Sequence, residues 1–141
     1  MNEPPYLPQD LIFQFILDKI DYVEKDPLNL KDKISPIAFL KEYGTFSLAC
    51  GRRSGHTLLA QRIVKYFNDS IVFTVSLNMA KNQFKEYMHK KEKRVFTFHM
   101  KGFSGLDWKD KIVVVDMAYF INKYLLEQIY LKNPKFIILL G

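Results

Sequence analysis

Gly55, His56 and Thr57 follow the short apolar stretch Phe46-Ser47-Leu48-Ala49 across a turn of small and basic residues, Cys50-Gly51-Arg52-Arg53-Ser54. An apolar strand, a glycine-containing turn and the opening of a helix make the layout of a phosphate-binding loop. In such a loop, backbone N–H groups and the positive end of a helix cradle phosphate oxygens. In the full pattern, G-x-x-x-x-G-K-[ST], the lysine meets the β/γ-phosphates and the hydroxyl helps to hold Mg²⁺. Gly55 and Thr57 fit. Cys50 stands where the leading glycine belongs, and His56 where the lysine belongs. The candidate nucleotide-binding residues are therefore Gly51, Arg52, Arg53, Ser54, Gly55, His56, Thr57 and Leu58. The imidazole of His56 is shorter and stiffer than a lysine side chain and lacks its point charge. Arg52 and Arg53 are close enough in sequence to replace part of that charge.

A second feature lies 59 residues beyond Thr57, where Asp116 closes the apolar run Ile112-Val113-Val114-Val115. A carboxylate at the carboxyl end of a buried parallel strand sits where such sheets bind ligands. Together with Thr57 it is expected to place Mg²⁺ indirectly, through water. The next residue is Met117, so no neighbouring carboxylate serves as the general base that hydrolysis of a phosphoanhydride needs. A third feature is the basic cluster Lys81, Lys85, Lys90, Lys91, Lys93 and Arg94, interleaved with Phe84 and Tyr87. It has the charges to follow a nucleic-acid backbone. Glu86 and Glu92 dilute it, and a solvated lysine-rich surface is the simpler reading.

The elements that must position these residues follow from hydrophobic spacing. Residues 1–10 carry Pro4, Pro5 and Pro8 and are expected to form an extended arm. Leu11, Ile12, Phe15, Ile16, Ile20 and Val23 recur at helical spacing behind Asp10 as N-cap, and that helix ends before Pro27. Ser35-Pro36 starts a second helix, which Gly44 ends. After Thr57 a helix runs through Leu58, Leu59, Ile63, Val64 and Phe67. Ile71–Leu77 is a buried strand by its β-branched content. Asn78 then caps a helix from Met79 to about Lys91. Val95–Met100, Ile112–Asp116 and Phe136–Leu140 are further strands, with a helix from Tyr119 to about Leu131 between the last two. The fold class is α/β: a mainly parallel five-stranded sheet with helices on both faces, the loop strand central. Residues 1–35 form an arm and an amphipathic helix packed on the core, and 36–141 form the main domain. The link from the third strand to the fourth is short and polar, which calls for either an irregular crossover or an antiparallel neighbour.

At 141 residues with 48% hydrophobic content the chain is long enough to bury a core of its own. The net charge of +6 favours a polyanionic partner. A single cysteine allows neither an internal disulfide nor a cysteine-based zinc site. No signal-peptide pattern opens the sequence, and no apolar run approaches the roughly 20 residues of a membrane helix. A cytoplasmic protein with no membrane association is expected.

Cys50–Thr57, Gly105–Ala118 and Asn133–Gly141 together resemble the motifs of P-loop NTPases, and within them the ATPase domain of phage terminase large subunits and the related helicases. The similarity covers about residues 36–141. It implies a three-layer sandwich, binding of ATP with Mg²⁺, DNA or RNA as partner, and a viral or phage-like setting, in the host cytoplasm. The relatives normally follow the strand-end Asp with Glu, and His56 and Met117 depart from their pattern, so hydrolysis is expected to be weak or lost. Two alternatives follow. One is a P-loop scaffold that serves as an interaction module for nucleic acid or a partner protein. The other is an ATPase that assembles as a homo-oligomer and borrows its missing base from a neighbour.

Overall fold

The computed structural model describes residues 8–49, 55–88, 93–99 and 108–141. Apolar runs set its centre. Ile112-Val-Val-Val-Asp116 and Ser70-Ile-Val-Phe-Thr74 are buried at every position, as strands covered on both faces must be. These are β4 (Ile112–Asp116) and β2 (Ser70–Thr74). With β1 (Thr45–Leu48), β3 (Val95–Thr97) and β5 (Phe136–Leu140) they form one sheet in the order β1-β5-β4-β2-β3. Every pairing is parallel.

The strand that leads to the loop is thus an edge strand, not a central one. Its composition gives the reason: β1 is only half-buried, with Ser47 exposed, whereas β5 and β4 are apolar enough to be covered on both sides. The antiparallel alternative for the third strand is excluded too, since β3 lies parallel to β2 at the opposite edge. Most of the link from β3 to β4 lies outside the described residues; Trp108, near its end, is fully buried.

Helices α1 (Gln9–Lys25), α3 (His56–Tyr66) and α4 (Leu77–Gln83) pack on one face of the sheet, around Val72, Val95, Val114 and Ile138. On the other face, α5 (Lys123–Leu131) and Leu40 of α2 (Pro36–Glu42) pack around Ile71, Phe73, Val113, Val115 and Ile137. Crossovers β1-α3-β2 and β2-α4-β3 advance in one direction along the sheet, and β4-α5-β5 returns in the other. Right-handed connections therefore place α3 and α4 opposite α5, and the α/β three-layer sandwich follows.

Several local expectations shift by a few residues. α1 starts at Gln9, so Asp10 lies in its first turn instead of capping it, and its carboxylate pairs with Arg62 at 2.7 Å. The buried face is Phe13, Ile16, Ile20 and Val23, which leaves Leu11 and Phe15 exposed. α2 begins as expected: Ser35 Oγ accepts from Ala38 N at 3.2 Å, with Pro36 in the first turn. Replacing Ser35 by alanine is expected to cost about 1 kcal/mol in urea-induced unfolding.

Ser76, rather than Asn78, caps α4 by accepting from Met79 N at 3.2 Å, so β2 stops at Thr74. Before α5 the chain makes a short 3-10 turn, Ala118–Phe120, and Asn122 caps the helix through Leu125 N at 2.7 Å. Met117, between β4 and that turn, is left-handed, with φ 57° and ψ 44°.

Candidate functional site

Gly55 is the hinge of the site. It holds φ 90° and ψ 12°, a left-handed conformation that favours glycine, and it turns the chain into α3. Its carbonyl accepts from Leu59 N at 3.1 Å and from Gln9 Nε2 at 3.0 Å, so the start of α1 is tied to the start of α3. Sequence reasoning missed Gln9, because nothing in a lone glutamine ahead of a helix marks a partner 46 residues away.

From that hinge α3 starts at the carboxyl end of β4. His56 and Thr57, its first residues, meet Asp116 there. His56 Nδ1 lies 2.8 Å from Asp116 Oδ1, and the Thr57 hydroxyl donates to Asp116 Oδ2 at 3.1 Å and Oδ1 at 3.2 Å. Asp116 is fully buried and His56 is 6% exposed. A carboxylate can only accept, so Nδ1 is the donor in this contact. The pairing is what allows the carboxylate to be buried at all, and the positive end of the helix adds to it.

Four of the residues singled out in the sequence, Gly55, His56, Thr57 and Asp116, are thus brought together. Gly51, Arg52, Arg53 and Ser54 lie outside the described residues, as does Cys50. Leu58 is 58% exposed on the outer side of α3. His56 is directed at the strand-end carboxylate, a partner that the loop pattern did not suggest.

The basic cluster divides. Lys81, Lys85 and Lys93 are exposed, with Lys93 Nζ 5.5 Å from the centre of the Phe96 ring. Lys90 and Lys91 lie outside the described residues. Arg94 is built into the fold: its guanidinium donates to the carbonyls of Val64, Phe67 and Ser70 and to Ser70 Oγ, at 2.7 to 2.9 Å. It gathers the carbonyls at the end of α3 and in the turn into β2 onto one cation. Arg94→Ala is expected to cost about 2–3 kcal/mol in urea unfolding, with part of the loss recovered in Arg94→Lys.

Other features lie away from the site. Phe39 is buried and Tyr43 is packed against the same core, with their ring centres 5.6 Å apart. A cavity of about 430 Å³ opens at the amino ends of the strands, between Phe39, Leu40, Lys109, Pro134 and Lys135, at the opposite end of the sheet from Asp116. No helix among the described residues is long and apolar enough to cross a membrane. Searches of known proteins gave no match to this chain among family profiles, curated proteins or solved structures.

Proposed function

We propose that the chain binds a nucleoside triphosphate, with ATP as the first candidate, and hydrolyses it weakly or not at all. The observation that carries this reading is the meeting of Thr57 and Asp116. A helix-start hydroxyl and a strand-end carboxylate, 59 residues apart, approach to 3.1 Å at the carboxyl ends of a parallel sheet. That is the end at which such sheets take ligands. In this reading the N-terminus of α3 takes the phosphates.

A carboxylate and a hydroxyl are hard oxygen donors and fit Mg²⁺ carried in with the triphosphate. Once bound, the cation would neutralise phosphate charge. The chain's own part is to orient: Asp116 holds the Thr57 hydroxyl and the His56 ring, and Gly55 sets the entry of the helix. Met117 offers no base to a water molecule. Exposed Lys81, Lys85 and Lys93 make DNA or RNA the proposed macromolecular partner.

One observation favours a second reading, an interaction module without nucleotide. His56 and Asp116 satisfy each other at 2.8 Å, and a scaffold that had given up its ligand would need such self-pairing. Calorimetric titration with ATP and GTP, with and without Mg²⁺, separates the two. Micromolar, Mg²⁺-dependent binding that Thr57→Val weakens supports the nucleotide reading. Absence of binding at millimolar triphosphate, together with salt-sensitive DNA or RNA binding, replaces it with the second.

A further inference from the structure

Thr74 ends β2 one step beyond the pairing of Phe73 with Val115, on the strand beside Asp116. Strand alternation fixes its side. Val72 and Val114 enter the core under α3, and Phe73 and Val115 enter the core under α5. Thr74 and Asp116 therefore both return to the α3 side. Thr74 is fully buried, and its Oγ1 has no hydrogen-bond partner among the described residues. A hydroxyl left so is destabilising, whereas valine has the same shape without the polar atom. The strands around it use valine freely: Val72, Val95, Val113, Val114 and Val115 are all buried. A threonine kept at such a position needs something polar to face.

We infer that Thr74 Oγ1 belongs to the site at the start of α3. With Thr57 Oγ1 and the Asp116 carboxylate it forms an all-oxygen set for a hydrated divalent cation of the Mg²⁺ class. The inference rests on the triphosphate reading above. Three elements contribute, β2, β4 and α3, and a single carboxylate among two hydroxyls suits an ion that retains several of its waters. Thr74 receives a hydrogen bond from one of those waters. His56 Nδ1 occupies Asp116 Oδ1, and Oδ2 shares only the Thr57 hydroxyl, so Oδ2 is the oxygen the cation's water shell engages.

The test compares Thr74→Val and Thr74→Ser with the parent chain. ATP affinity is measured by calorimetry in Mg²⁺, in Mn²⁺ and in chelator, and thermal unfolding is followed without ligand. Thr74→Val is expected to melt about 3 °C higher without ligand, because it sheds an unpaired hydroxyl. It is also expected to lose about tenfold of the affinity that the metal adds, with binding in chelator unchanged. Thr74→Ser keeps the metal-dependent gain. A valine variant that retains the full gain overturns the inference, as does one that melts lower than the parent. Equal ATP binding by the parent with and without metal overturns it while leaving the triphosphate reading in place. No ATP binding by the parent overturns both.

Discussion

Asp116→Ala is expected to destabilise the protein by about 3–5 kcal/mol, the largest loss for any single side chain of the site. The carboxylate is fully buried and satisfies two groups at once, the His56 ring and the Thr57 hydroxyl. Removing it leaves a ring that is 6% exposed facing a void, with only the Thr57 hydroxyl, 3.5 Å away, near its Nδ1. The cost is therefore that of an orphaned polar group and not only of a lost contact. Asp116→Asn keeps the shape and one acceptor oxygen and should lose about half as much. The double variant His56→Leu/Asp116→Leu removes the polar demand along with its answer, and should recover most of the loss. Urea unfolding of His56→Leu, Asp116→Leu and the double variant closes the cycle, with a coupling of about 3 kcal/mol or more between the two positions. A coupling near zero would mean that the 2.8 Å contact carries no energy.

The second large effect is a gain. His56→Lys is expected to tighten Mg²⁺-dependent ATP binding by about 10- to 100-fold, the equivalent of one charge-assisted hydrogen bond. Lysine at this position has the reach and the point charge that the loop pattern assigns to the β/γ-phosphates. In the native chain that position is occupied by a ring committed to Asp116 at 2.8 Å. His56→Gln separates the two contributions: it can still donate to Asp116, yet it brings no charge. Calorimetry should show an increase for lysine and little change for glutamine. Equal affinity in all three would mean that the residue at 56 does not meet phosphate.

The strands that carry the site were legible where burial on both faces leaves one solution. Ile112–Asp116 and Phe136–Leu140 are built on continuous apolar runs, and their limits in the structure are those of the sequence pattern. The order of the strands was not legible, because it depends on which strand gains more from being covered twice. Only the comparison of half-exposed Thr45–Leu48 with fully apolar β5 decides that. The face of α1 was misplaced by its most hydrophobic residues: Leu11 and Phe15 fit a helical stripe, but Phe13 completes the one that packs. At the site, Gly55, Thr57 and Asp116 were singled out by residue type and position along the chain, and the structure brings Thr57, next to Gly55, against Asp116. The commitment of His56 to Asp116 could not be found that way. It depends on α3 starting at the carboxyl end of β4, a matter of three-dimensional path.

The backbone at Met117 bears on what a catalytic base at that position would require. On the proposed reading, hydrolysis lacks a carboxylate after Asp116, which a single substitution at 117 would supply. Position 117, however, leaves the strand with φ 57°, so a glutamate placed there inherits a left-handed turn and departs from the line of β4. Side chain and turn would have to change together. A glutamate alone gains no turnover, and a straightened turn alone gains none either, so selection for hydrolysis has no first step to favour. An engineer seeking to place a base there should rebuild residues 117–120 as a unit.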